Sequence, residues 1–278
     1  MPLTNKIVAF NAVDYTPDTA EVGGKGASLI KLFKADIPVP DGFVVTTSVY
    51  RECHEHTMPD EFQQTLFAAF DALAAERVAV RSSAISEDSD TASWAGQFES
   101  FMNVSRDMLI DSIEKCWASV SDAISYAQTQ DLSDEGIAIA VVVQKMVDSE
   151  VAGVAFSVNP INHESNQIMI EATYGLGELL VQGMVNPDNY VISKDNGGII
   201  DKLVSTKFKK LTYKDGTNIE MPVDIELQDK PCLSEVQLTE LGQMVSRIED
   251  YYGSPQDIEF AYSKGALYIV QSRPITTV

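Results

Sequence analysis

Between Ser254 and Pro274 two short runs of alternating character flank a Ser263-Lys264-Gly265 turn. Alternation with period two around a glycine-containing turn leaves little choice but an antiparallel hairpin. Successive strand side chains point to opposite faces. Asp257 and Glu259 therefore share a face on the first strand, and Leu267, Ile269, Gln271 and Arg273 share one on the second. A three-residue loop over 264–266 sets Glu259 directly opposite Gln271. The polar face then carries two carboxylates, an amide oxygen and a guanidinium. Two readings of it stand. Such hairpins ordinarily turn a polar side to water. Alternatively, carboxylate and amide oxygens suit Mg²⁺, a hard cation that shares its shell with substrate phosphates, and the guanidinium suits the phosphates themselves.

The charge balance bears on that choice. The chain of 278 residues has a formal net charge of −21. Such a surface repels nucleic acid and anionic membranes. A polyphosphate ligand then requires a few cations gathered against the global field, and Lys25, Arg81 and Arg273 stand in motif-like contexts. No apolar run approaches the roughly 18 residues of a membrane helix, and no secretory leader is visible at the N-terminus. The three cysteines, Cys53, Cys116 and Cys232, are widely spaced and odd in number. They predict free thiols in a reducing, cytoplasmic setting and no zinc site.

Along the chain, a glycine-rich stretch at Gly23-Gly24-Lys25-Gly26 runs into a helix reaching Ala35. It serves either as a simple helix entry or as a close backbone approach to an anion at a helix N-terminus; it lacks the P-loop spacing. A strand over Phe43–Thr46 and helices over Thr47–His56 and Glu61–Ala75 follow, the latter with Phe62, Leu66, Phe67, Phe70 and Leu73 at helical spacing. A strand through Arg77–Ser83 leads to a polar loop over Ala84–Gly96, then a strand over Gln97–Val104 and a helix over Asp107–Ala127. Ala138–Met146 is apolar and β-branched, as a strand buried on both faces requires; a turn at Asp148-Ser149-Glu150 pairs it with Val151–Val158 as a second hairpin. Gln167–Thr173 is a strand ended by Gly175-Leu176-Gly177-Glu178. Tyr190–Ser193 and Ile199–Ser205 form a third hairpin. Leu233–Tyr252 is a helix capped by Ser234, with Val236, Leu241, Met244, Val245 and Ile248 inward. Helices and hairpins in this irregular order predict an α+β architecture.

Taken in order, Val22–Leu29, Ile37–Thr46, Val80–Val104, Val143–Pro160, Glu171–Asn189 and Gln256–Thr276 resemble the N-terminal nucleotide-binding domain of phosphoenolpyruvate synthase, pyruvate phosphate dikinase and rifampicin phosphotransferase. The resemblance spans nearly the whole chain; the segment between Val49 and Glu76 is shorter than usual for the family. It implies an ATP-grasp fold: a single domain over 1–278 with lobes near 1–142 and 143–278 and an ATP cleft between them. It also implies ATP and Mg²⁺ as ligands. Lys25 and Arg81 would contact the phosphates, and the Ser93–Ser100 loop would cover them, with Gly96 allowing close approach and Ser100 offering a hydroxyl. Gln144, Met146 and Val147 would line the adenine. Glu259 and Gln271 would hold Mg²⁺ with Asp257 nearby, and Arg273 would brace the transferring phosphate.

Full-length relatives carry a further domain with a phosphoryl-accepting histidine in a Thr-Ser-His context, then an acceptor domain. None of His54, His56 and His163 stands in that context. The expected activity is transfer of a phosphoryl group from Mg-ATP to a histidine on a partner chain or missing domain. The alternatives are a stand-alone ATP-grasp enzyme acting on a small molecule, and a non-catalytic nucleotide-binding module.

Overall fold

The computed structural model describes residues 6–54, 56–84, 99–129 and 138–276, without the side chains of 120–129. Two compact units emerge: Met1–Asp36 with Pro40–Met146, and Ile37–Val39 with Val147–Val278. Among the described residues every pairing between named strands is antiparallel, and helices pack on the sheets, so the chain is α+β.

The first unit is built on a sheet in the order β1 (Ile7–Ala9), β2 (Gly42–Val45), β5 (Ile139–Lys145), β3 (Val78–Ala84), β4 (Ser100–Val104). Its central strand β5 is buried at every position from Ile139 to Gln144, as its β-branched run demands. On one face Val45, Val78, Val80, Val141 and Val143 join a core with α2 (Thr47–Cys53), α3 (Asp60–Ala72) and α4 (Leu109–Thr129). The helical stripe Phe62, Leu66 and Phe70 supplies α3's share, and Leu109, Ile113, Cys116 and Trp117 that of α4. Each such side chain contributes about 1.5–3 kcal/mol by leaving water. The opposite face carries α1 (Thr19–Lys34).

The second unit has a six-stranded sheet in the order β13 (Ala266–Pro274), β12 (Gln256–Ser263), β6 (Val151–Phe156), β7 (Gln167–Tyr174), β8 (Asp188–Ser193), β9 (Ile199–Leu203). A separate hairpin joins β10 (Lys209–Lys214) to β11 (Thr217–Pro222) across Asp215-Gly216. Two short helices, α5 (Glu178–Val181) and α6 (Ile225–Gln228), precede α7 (Glu235–Tyr252). A capping box of Ser234 and Gln237 starts α7, and Gly253 in the left-handed conformation ends it. This helix covers one face of the sheet with Leu238, Leu241, Val245 and Ile248, all buried. The Tyr262 hydroxyl ties the sheet to it by donating to the Gln237 carbonyl at 2.9 Å.

Two expectations are corrected and one element was missed. The strands β5 and β6 do not form a hairpin: β5 pairs with β2 and β3, β6 with β12 and β7. Both edges of each are already taken, and the chain between them passes from one unit to the other. Val236 is 79% exposed because it lies off the stripe formed by Leu238, Leu241 and Val245. The β10–β11 hairpin went unread, although Asp215-Gly216 is a strong turn signal. No helix among the described residues is long and apolar enough to cross a membrane.

Candidate functional site

In the first unit, direct cross-strand pairs align Val44, Val142, Arg81 and Ser100 in one row. These residues share a face, and it is the face of α1: a Cβ added at Gly26 would meet Val44 at 3.1 Å. Lys25 on α1 donates through Nζ to the Ser82 carbonyl at 2.8 Å. Lys25, Arg81 and Ser100 are thereby gathered on one side of β3, with Arg81 buried.

The glycine-rich turn explains how Lys25 is held. α1 starts upstream, where the Asp18 carboxylate caps the Ala20 N–H, and is kinked at Gly23, whose φ is 69° and ψ 170°. Only glycine is at ease there. A Cβ at Gly23 would also lie 2.2 Å from the Ser83 carbonyl oxygen. The Ser83 hydroxyl donates to the Val22 carbonyl at 2.9 Å and accepts from the Gly26 N–H at 3.0 Å. The glycine therefore serves neither as the helix cap nor as a loose loop; it lets α1 clamp onto β3. Replacing Gly23 with alanine is expected to cost about 1–3 kcal/mol from backbone strain alone, with the clash added. A urea midpoint unchanged from the parent's would remove this account.

Of the expected adenine-lining group, Gln144 is buried and its amide nitrogen donates to the Pro40 carbonyl at 3.3 Å. The Met146 N–H is engaged with the Arg77 carbonyl at 3.1 Å, and the Val147 carbonyl accepts from the Ser149 N–H at 2.9 Å. Met146 ends the first unit and Val147 opens a stretch of the second. Ser93 and Gly96 lie outside the described residues.

In the second unit the terminal hairpin places Glu259 opposite Gln271 and Asp257 opposite Arg273. The route to that register differs from the expected three-residue loop. Ser263 pairs with Ala266, so the loop is only Lys264-Gly265, both at positive φ (52° and 77°), as a type I′ turn requires. That turn alone would put Val270 opposite Glu259. A bulge between Phe260 and Glu259 passes over Val270 and brings in Gln271. The same bulge reverses the alternation. Leu267 and Ile269 are buried on the α7 face, whereas Gln271 and Arg273 lie on the other. Their expected common face is thus corrected.

Arg273 grips Asp257 with Nε at 2.9 Å and Nη2 at 2.8 Å from one carboxylate oxygen. Burial raises the Asp257 pKa, the Arg273 charge and hydrogen bond oppose this, and Glu259 adds to the rise. Across the sheet the row continues from Gln271 and Glu259 through Val154 to Glu171 and Asn189. Glu171 received no role in the sequence reading. Its signal was an acidic residue at an alternating position of an otherwise apolar strand. Burial raises its pKa.

A second unforeseen group lies on the opposite face of this sheet. Asp188 and Lys207 are fully buried and joined at 2.5 Å. Asp188 also accepts from the Ser205 N–H at 3.0 Å, the Cys232 N–H at 2.8 Å and the Tyr190 hydroxyl at 3.1 Å. With its oxygens filled by these donors, it holds the fold together.

Glu259 and Gln271 fit Mg²⁺. Directly opposed residues hold their Cβ atoms about 4.5–5.5 Å apart, and both present oxygen, the ligand this ion prefers. Among the described residues no group of three or more His, Cys, Asp or Glu could cage a metal.

A family model described as pyruvate phosphate dikinase, AMP/ATP-binding domain, matches residues 19–57 and 53–278. A probable phosphoenolpyruvate synthase of Methanothermobacter thermautotrophicus is 36% identical over 318 aligned residues, covering 98% of this chain and 46% of its own length. A rifampicin phosphotransferase of Streptomyces sviceus is 34% identical, with 93% of this chain and 34% of that protein covered. The chain thus spans less than half the length of these curated relatives. Among solved structures, a D-alanine–D-alanine ligase of Bacillus anthracis complexed with ATP aligns over 90% of this chain and 55% of its own, at 10% identity and a TM-score of 0.41.

Proposed function

We propose, since the chain belongs to the pyruvate phosphate dikinase AMP/ATP-binding domain family, that it binds Mg-ATP and passes a phosphoryl group to a histidine on a partner chain or on a domain outside these residues. The observation that carries the reading is the register of the terminal hairpin. It sets the oxygen-bearing side chains of Glu259 and Gln271 opposite one another and the Arg273–Asp257 pair one step along the same face.

In this reading Glu259 and Gln271 hold Mg²⁺, which when bound neutralises phosphate charge. Arg273 supplies a planar fork of donors to the transferred group, and Asp257 holds that fork in place from its own strand. Lys25 and Arg81 bind the phosphates from the first unit, with Ser100 offering a hydroxyl beside Arg81. Gln144, Met146 and Val147 line the adenine. Phosphoryl transfer asks little covalent chemistry of the protein; positioning and charge neutralisation suffice.

Calorimetry with ATP, with and without Mg²⁺, tests the reading, followed by phosphorus NMR of the products with a phosphohistidine-type acceptor domain supplied. Failure to bind ATP in either condition overturns it. Glu259→Ala is expected to remove most of the magnesium dependence and weaken Mg-ATP binding about tenfold, the scale of one lost charged contact. Magnesium dependence equal to the parent's takes Glu259 out of the metal shell.

A further inference from the structure

We propose that Gln256 and Ser272 are positioning residues for the magnesium and phosphate contacts of the terminal hairpin. Their hydrogen bond holds β13 in the bulged register that turns Gln271 and Arg273 toward Glu259 and Asp257. The inference rests on the nucleotide-binding reading above and deepens it by naming what keeps those four side chains aligned.

The bulge needs a physical cause. The Lys264-Gly265 turn starts the hairpin with Ser263 opposite Ala266. Continued without interruption, that register would put Val270 opposite Glu259, Ser272 opposite Asp257 and Gln271 opposite Ile258. Gln271 and Arg273 would then turn to the α7 face, and Val270 and Ser272 would take their places, because a slip of one residue exchanges the two faces of a strand. The turn and the stretch from Leu267 to Ile269 are common to both registers. What distinguishes the two lies beyond Val270.

In the observed register Ser272 pairs with Ile258, and Gln256, two residues earlier on β12, lies diagonally across on the same face. Diagonal neighbours are within reach of a long side chain. The Ser272 hydroxyl donates to the Gln256 amide oxygen at 2.9 Å. Both residues are almost completely buried, at 2% and 1% exposure, so water is no substitute partner, and a buried polar atom left without one is costly. In the uninterrupted register Ser272 would lie on the other face from Gln256, and the bond could not form. Ile258, Phe260 and Ile269 are buried on the same side of the hairpin, where apolar residues would pack equally well. The polar pair adds direction, because its hydrogen bond exists only in the bulged register.

Gln256 is itself firmly held. Its amide nitrogen donates to the Ser254 and Pro255 carbonyls, each at 3.1 Å. Its backbone N–H donates to the Ser157 hydroxyl at 2.8 Å, and its carbonyl accepts from the Ser157 N–H at 2.9 Å. Ser157 follows directly on β6 and is fully buried. Its hydroxyl donates to Glu249 of α7 at 3.1 Å, and Glu249 is ion-paired with Lys194, directly after β8. The reference point for Ser272 is thus fixed by β6, β8 and α7 as well as by the hairpin. Side chains that must meet an ion and a phosphate need such support. Magnesium tolerates little departure from octahedral geometry, and a displacement of about 1 Å costs on the order of 10²-fold in rate.

The test is calorimetry of ATP binding with and without Mg²⁺, each variant first checked for folding by a thermal melt. The readout is the factor by which Mg²⁺ tightens ATP binding. Ser272→Ala is expected to lower that factor about tenfold or more, the scale on which residues supporting metal ligands act, while metal-free ATP binding stays within about twofold of the parent's. Made in a Gln271→Ala background, where the ligand it positions is gone, the same change is expected to lower the factor by less than about twofold, as coupled residues do. Gln256→Met keeps the volume and removes the amide; it carries the same expectations and replaces Ser272→Ala should that variant not fold. A folded variant of either kind with the parent's magnesium factor overturns the proposal. An equal loss of ATP binding with and without Mg²⁺, the mark of a merely structural role, overturns it too, as does a full additional loss in the Gln271→Ala background. A parent that binds ATP with no help from Mg²⁺ also overturns it and leaves nucleotide binding standing. A parent that binds no ATP overturns the nucleotide-binding reading itself, and this inference with it.

Discussion

Lys207→Met will lower the stability of the second unit by about 3–5 kcal/mol, the usual cost of breaking a buried ion pair by removing one partner. Lys207 and Asp188 have no exposed side-chain surface, so water cannot take over the lost contact. The Lys207 ammonium also donates to the Ser205 carbonyl at 2.7 Å and lies 5.7 Å from the centre of the Tyr174 ring. Methionine fills the volume and supplies none of these interactions. Many buried pairs can be replaced by apolar residues at little net cost, but this one cannot. Asp188 also serves the Ser205 and Cys232 N–H groups and the Tyr190 hydroxyl. Replacing both members would orphan those donors, each at about 1–3 kcal/mol. The double variant Asp188→Leu/Lys207→Met is therefore expected to be no more stable than Lys207→Met. Urea unfolding monitored on both variants decides the matter. A loss below about 1 kcal/mol in Lys207→Met, within the range of an ordinary surface pair, would sink this description.

Under the proposed function, Arg273→Ala is expected to reduce phosphoryl transfer on the order of 10²-fold or more, the typical effect of deleting one preorganised electrostatic contact. Folding should be nearly untouched: the Arg273 side chain is 46% exposed, and exposed ion pairs contribute little to stability. Arg273 also opposes the burial that raises the Asp257 pKa. Its loss should push that pKa further up and bring Asp257 closer to neutrality beside Glu259. Arg273→Lys keeps the charge and loses the planar fork, so it should recover only part of the rate. Phosphorus NMR with the acceptor domain present, paired with a thermal melt, separates the two effects. A folded Arg273→Ala with the parent's rate would remove the arginine from the reaction.

Much of the local structure was legible in the residues. Ser234 announced α7, the Phe62–Leu66–Phe70 stripe announced α3, and the β-branched run at Ile139–Val143 announced a strand buried on both sides. Each of these signals acts over a few residues. The site was legible only as a set of residue types. Lys25 and Arg81 were read as phosphate cations, and the clamp that holds Lys25 depends on Ser83, far away in sequence.

Periodicity and turn residues determined most of the elements and the terminal hairpin, and the collinear motifs carried the family resemblance. Tertiary structure alone decided which strands met, and so which side chains shared a face. The Glu259–Gln271 register came out as expected, but through a two-residue turn and a bulge at Val270. A single unpaired residue there reversed the faces of Leu267 and Ile269 relative to Gln271 and Arg273. Likewise, only the pairing of β6 and β7 brought Glu171 onto the face of Glu259, and only folding joined Lys207 to Asp188. Alternation is a property of one strand, set by the backbone of each residue. Register, bulges and buried ion pairs are set by the free energy of contacts between distant segments, and no local pattern encodes them.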